Sequence, residues 1–295
     1  MRNMAYEFDK LPLAELFVPV TNATAALTRL DERLARSPIR DGMLERMHMQ
    51  DAVASMWLEG ELVHLEDLVL HDALMDTRTP SHALTIAYSV LRLRRQIVSR
   101  APGWALSTAG IQQLIGRNIE VREEEKRDYS EVAEGEVDPL LEDIDALLAR
   151  TDALLKGVVK EKPKPQPVEA EALLYDDDWD EDARLQEWRD LFAKTAHLPS
   201  ILCAAIMHDA WYSLEVVQRS NWIGRLLTSA YLRQSGITTN HLPAISIGLR
   251  TKRPDERRSS NRLIRLKTFL SAIEDAADAG MKEHDRLMLA REQMQ

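Results

Sequence analysis

SHALTIAYSVLRLRRQIVSRAP, residues 81–102, is the stretch whose reading decides the fold. Leu84, Ala87, Leu91 and Val98 recur in it at steps of three, four and seven, which puts them on one face of an α-helix. Ser81 stands where a side-chain oxygen caps a first turn, and Pro102 lacks the amide hydrogen needed to continue the last one. The same spacing predicts helices over 13–34, 43–57, 62–74, 138–155, 185–193, 201–217, 224–233 and 262–279. A half-buried strand needs a period of two, and AISIGL at 244–249 is too short to found a sheet. The fold class is all-α.

The chain has 295 residues, 45% of them hydrophobic, enough to bury a sizeable core. No apolar run approaches the roughly 20 residues that span a bilayer. The opening MRNMAYEFDKLPLAELF puts acidic residues where a secretory signal needs a continuous apolar stretch. These features imply a cytoplasmic protein with no membrane partner. Cys203 is the single cysteine, and in the apolar run ILCAAIM it reads as a small buried hydrophobe.

A net charge of −10 argues against the whole chain acting as a nucleic-acid clamp. The charge is uneven, however. Residues 169–182 hold eight acidic and no basic residues, whereas 250–267 hold eight basic residues against Asp255 and Glu256, a balance of +6. Between 157 and 183 the helical pattern gives way to KEKPKPQP and then an acidic block, a composition that cannot bury enough surface to offset chain entropy. This stretch reads as a disordered linker, the first place for limited proteolysis to cut. The organisation is then an N-terminal helical region at 9–156, the linker at 157–183, a helical core at 184–250, and basic then amphipathic C-terminal helices at 251–295.

Three motifs occur in order along this frame. Ser55-Met-Trp-Leu-Glu59-Gly60 has a hydroxyl residue, three spacers, a glutamate and a glycine; LPSILCAAIMHDAW at 198–211 is an apolar helix; Gly224-Arg225-Leu226-Leu227 opens another. Together they resemble the Fic family of AMP transferases, over roughly residues 9–250, as its inhibitory helix and the helices before and after its catalytic loop. The resemblance implies a Fic-like helical bundle. It also exposes departures from the loop pattern His-Pro-Phe-x-Asp/Glu-Gly-Asn-Gly-Arg-x-x-Arg. With the final Arg placed on Arg225, Leu214 stands at the general-base position and Gln218 at the acidic, magnesium-holding one. Arg219, Ser220 and Asn221 replace the glycine-rich phosphate cradle, and Trp222 replaces the first Arg. A leucine takes no proton and an amide anchors metal poorly, so the expectation is an inactive relative that transfers no AMP and needs no cofactor or metal.

Glu59 and Arg225 are retained, and the resemblance implies that they pair. Two readings stand: a vestigial ligand pocket, or a buried ion pair kept because losing either partner strands a charge. More closely, 57-WLEGELVHLEDLVLHDA-73, with Arg78-Thr-Pro and Pro102-Gly-Trp-Ala-Leu-Ser downstream, resembles an uncharacterised bacterial family in which a degenerate Fic-like region precedes a C-terminal helix-turn-helix. This sequence stops at Gln295, so the DNA-contacting candidates in hand are Arg250, Lys252, Arg253, Arg257, Arg258, Arg262, Arg265 and Lys267. They can touch phosphates but include no evident base readers. The alternative is that they pair within the molecule with the acidic block.

The expected function is a non-catalytic, DNA-associated or transcription-related regulator, with self-association as a further partnership. The alternatives are a nucleotide-binding enzyme with relocated catalytic residues and an antitoxin-type interaction scaffold. Glu61, His64 and His71 fall at one-face spacing but read as a solvated face before a metal site. Arg92, Arg94, Arg95 and Arg100 likewise read as a solvated helix face, with phosphate contact as the alternative.

Overall fold

Helices form where an apolar stripe is bounded by residues that cap or break it. A computed structural model describes residues 6, 11–76, 78–116 and 179–294, and among them every regular element is helical, with no strand. The N-terminal part contains α1 (Leu13–Ala35), α2 (Arg40–Leu58), α3 (Leu65–Asp72), α4 (His82–Ser99) and α5 (Thr108–Ile115), with a 3-10 turn at Trp104–Leu106. The C-terminal part contains α6 (Glu181–Thr195), α7 (Ser200–Ser213), α8 (Ile223–Gln234), α9 (Ile245–Thr251), the single turn α10 (Pro254–Arg257) and α11 (Arg262–Gln293). The predicted helix at 138–155 and residues 157–178 of the predicted linker lie outside the described residues.

Local chemistry explains most boundaries. Ser81 Oγ accepts from the Leu84 amide at 3.1 Å and opens α4, as the sequence predicts. Asp180 accepts from Ala183 at 2.9 Å and starts α6 at Glu181, inside the range read as linker. Asn261 does the same for α11 through Leu263, at 2.9 Å. Residues 201–217 are not one helix. Glu215 takes a left-handed backbone, φ 48°, which no helix interior accommodates, so α7 ends at Ser213 and Val216 and Val217 bury themselves in a loop. In the other direction α11 runs on to Gln293, well beyond the predicted 279, because tertiary contacts hold its later turns to α1. His284 Nε2 lies 2.9 Å from Ser37 Oγ, and Arg33 donates to Asp285 at 3.1 Å.

Residues before and after the undescribed segment share one compact body. α11 lies against α1 and α9, α2 packs between α4 and α9, and α7 is flanked by α8 and α11. At Gly248 of α9 an added Cβ would overlap the Ala272 carbonyl of α11, so the two backbones meet directly. Trp188 and Trp211 meet edge to face with centroids 5.2 Å apart, and the Trp188 indole donates to the Met207 carbonyl at 2.9 Å. Cys203 is buried, as expected, with its thiol donating to the Thr195 carbonyl at 3.0 Å.

Of the four arginines read as a solvated face, Arg92 and Arg100 are exposed, but Arg94 and Arg95 are drawn into the fold. Arg94 is fully buried and donates to Asp51 at 2.6 Å, His48 at 3.2 Å and the Leu242 carbonyl at 3.0 Å. Asp51 in turn accepts from the Ser246 amide at 2.7 Å, fixing the start of α9. Arg95 bridges Asp72 at 2.7 Å and Glu45 at 2.8 Å. Arg92 lies over the Tyr88 ring and Arg100 over the Trp104 ring.

Candidate functional site

α2 ends in a turn that its sequence specifies. Gly60, at φ 90°, lets its own amide reach the Trp57 carbonyl at 3.1 Å and the Glu61 amide reach Met56 at 3.0 Å, a crossed pair of bonds that satisfies the final turn. Ser55 and Glu59, four residues apart at this end, face the same direction. Arg225 comes to them from the first turn of α8. That approach is set by Gly224, where any Cβ would overlap the Trp211 indole. Arg225 Nη2 donates to Glu59 Oε1 at 2.7 Å, to Ser55 Oγ at 2.8 Å and to the Ser55 carbonyl at 3.2 Å, while Nη1 donates to Tyr212 Oη at 2.6 Å. Burial opposes the Arg225 charge, but Tyr212 and Glu59 more than offset it and hold the guanidinium above its ordinary range. Burial pushes the Tyr212 phenol up. The pair expected to meet across 166 residues does so.

Beside it opens a cleft of about 510 Å³, whose walls include His208, Asp209, Tyr212, Glu215, Arg257, Arg258 and Phe269. His208 stacks on Phe269 with ring centroids 4.3 Å apart, and burial with the nearby Arg225 charge depresses its pKa to about 3. It is therefore neutral at pH 7, with a buried Nδ1 that has no partner. Asp209, also on the cleft wall, receives Arg265 at 2.5 and 3.0 Å and the Tyr6 hydroxyl at 2.6 Å. Arg262 covers the Tyr6 ring at 4.2 Å. Burial, and then Asp209, push the Tyr6 phenol far above its usual range. Sequence reasoning passed over Tyr6, Asp209 and Tyr212. The signal available was a His-Asp pair inside an otherwise apolar helix.

Leu214, at the sequence position of the expected base, is a core residue, 2% exposed; its carbonyl accepts from Arg184 at 2.5 Å. Gln218 lies half-buried in the loop between α7 and α8, its amide donating to Glu181 at 3.3 Å. In that loop Glu215 and Ser220 both adopt left-handed backbone, at φ 48° and 61°.

The eight basic candidates do not form one free strip. Lys252 pairs with Asp275 at 2.7 Å, Arg253 with Asp255 at 2.9 Å, Lys267 with Glu15 at 2.6 Å, and Arg262 and Arg265 with Asp209. Arg257 lies over Trp57, 5.7 Å from the ring centroid, and with Arg258 lines the cleft; Arg250 is exposed. These described partners are folded-core and neighbouring carboxylates; residues 169–178 of the acidic block, the alternative partner, lie outside the described residues. Glu61 and His64 precede α3, and His71 on it binds Asp76 at 2.7 Å, so the three do not share a face. No group of three or more metal-ligating side chains occurs among the described residues. Nor is any described helix long and apolar enough to cross a membrane.

Residues 173–295 match the family described as "Protein of unknown function (DUF1612)". The chain is also similar to "Uncharacterized protein y4cF" of Sinorhizobium fredii (strain NBRC 101917 / NGR234), 45% identical over 314 aligned residues that cover 99% of this chain and 83% of the relative. With the family match in the C-terminal part and this likeness along nearly the full length, the chain belongs to the DUF1612 family.

Proposed function

We propose that this chain is a non-catalytic, Fic-like ligand-sensing regulator, associated with transcription, in which the cleft beside Glu59 and Arg225 is the sensing pocket. The observation that carries the reading is the state of Arg225. Among the described residues its four side-chain hydrogen bonds go to Ser55, Glu59 and Tyr212, so it is held by protein groups at the place where the resemblance puts a nucleotide.

The non-catalytic reading is supported by the residues at the positions where the resemblance puts the chemistry. Leu214 is in the core, and a histidine with its pKa at about 3 is too weak a base to take a hydroxyl proton near neutrality. A cleft of about 510 Å³ nevertheless has room for a small molecule. Association with DNA by this chain alone is weak in this reading, because most of the basic residues already face carboxylates.

The test is incubation of the purified protein with labelled ATP and magnesium, for wild type and Glu59→Gly. The expected result is no label on the protein or on added acceptors in either form. Label above a no-protein control would favour the enzyme reading instead.

A further inference from the structure

We propose that the cleft binds the phosphate group of a small phosphorylated molecule, gripped by Arg257 and Arg258 of α10. This assignment rests on the reading of the cleft as a sensing pocket, and names its ligand class.

The first support is uncompensated charge. Of the four arginines that line the cleft, Arg225 is bound by Glu59 and Arg265 by Asp209. Arg257 and Arg258, adjacent in sequence, have no carboxylate within ion-pair range among the described residues, and the Arg257 Nε is buried without a hydrogen-bond partner. Burial, then repulsion from Arg258 and Arg225, works against the Arg257 charge. An oxyanion placed between these groups would relieve that repulsion, and a guanidinium's planar fork of donors matches phosphate geometry.

The second support is a pair of unpartnered polar atoms on wall residues, a ring nitrogen that donates to an oxyanion in one tautomer and an amide oxygen that accepts from the ligand's own hydroxyl or amide groups. The His208 Nδ1 and the Asn221 Oδ1 are both buried and unpartnered, and both residues line the cleft. Buried polar atoms normally find a partner in the protein or in a bound molecule. The third is backbone strain: Glu215, itself on the wall, and Ser220, next to Asn221, are two of the three non-glycine residues with left-handed backbone among those described. Such conformations cluster at ligand sites. The stacked His208 and Phe269 rings, with Leu58 and Leu249, give the cleft an apolar wall suited to the body of the ligand. Neither Arg257 nor Arg258 belongs to the motifs that carry the Fic-like resemblance.

The experiment is calorimetric titration of the full chain with inorganic phosphate and with pyrophosphate, at ionic strength held constant with chloride and without magnesium. Saturable binding is expected, weakened at least tenfold in Arg258→Gln and in the double variant Arg257→Gln, Arg258→Gln. It should be unchanged in Arg253→Gln, whose side chain is exposed and paired with Asp255. Circular dichroism of each variant confirms folding, and the exposed Arg258 supplies the variant least able to disturb it.

Absence of saturable binding by either anion overturns the assignment. So does equal affinity in the double variant, and so does tighter binding of citrate than of pyrophosphate. These results leave the non-catalytic reading standing, whereas AMP transfer in the labelling assay would remove that reading and leave the phosphate site.

Discussion

At the scale of single residues, the buried charges are where the fold is most exposed to mutation. Arg94 has no contact with solvent, and Asp51 is its counter-charge and also the acceptor for the start of α9. Asp51→Ala is expected to cost about 3–5 kcal/mol in urea denaturation, since it strands a buried guanidinium, whereas replacing both partners by apolar residues should cost less than the single change. Asp31 accepts from His241, Thr239 and Asn240, and although burial opposes its charge these bonds hold its carboxyl well below the ordinary range. Its stabilising contribution is thus fully present above the unfolded value of about 3.9 and fades as pH falls below it. The stability difference between wild type and Asp31→Asn should be largest at pH 7 and shrink on acidification.

His48 and His208 act in the same direction in a different window. Burial first, then neighbouring arginines, lower each pKa to about 3, so both are neutral in the fold and must charge when it opens in acid. Their contribution is complete above the unfolded value near 6.5 and is lost progressively down to about 3, at up to about 1.4 kcal/mol per pH unit for each histidine. In thermal melts, His208→Phe should flatten the decline in stability between pH 6 and pH 4. An unchanged pH slope in that variant would count against a neutral buried imidazole.

At the scale of elements, the crossing of α9 with α11 depends on one missing side chain. Alanine normally favours a helix over glycine, yet at position 248 its methyl group would meet the carbonyl of Ala272, a backbone atom with no room to move. Gly248→Ala should therefore destabilise by about 1–3 kcal/mol, measured by thermal denaturation. The clash-free control is Gly42→Ala in α2, where an added Cβ meets nothing within 4 Å and helix propensity should leave the protein equally or slightly more stable. The short α9 was not legible in advance because seven residues carry too little periodicity, and its start is fixed by Asp51 from another helix.

At the scale of the whole molecule, charge pairing sets what the surface can attract. The basic run at 250–267 looks like a phosphate-binding strip when counted along the chain, but the fold brings Glu15, Asp209 and Asp275 to it from α1, α7 and α11. Retention of DNA on filters should accordingly be weak, insensitive to sequence and steeply reduced by salt. Salt-resistant, sequence-selective retention would show that a reading element had been missed. The cleft, by contrast, combines α7 with α10 and α11 and the end of α2, which no local stretch of sequence announces.

What the sequence determined by itself is what local physics determines. Helical class follows from the three-and-four spacing, the entry to α4 from Ser81, and the reversal after α2 from Gly60, because caps and left-handed turns act over a few residues. The meeting of Glu59 with Arg225 was legible too, but only through a family resemblance. Only the tertiary structure decided that Arg94 is buried while Arg92 is not, that α11 extends to Gln293, and that Arg257 and Arg258 line a cleft with no carboxylate in ion-pair range of them among the described residues. Each of these depends on which helix, distant in sequence, covers a given face, and burial and charge pairing are properties of that contact and not of the residue.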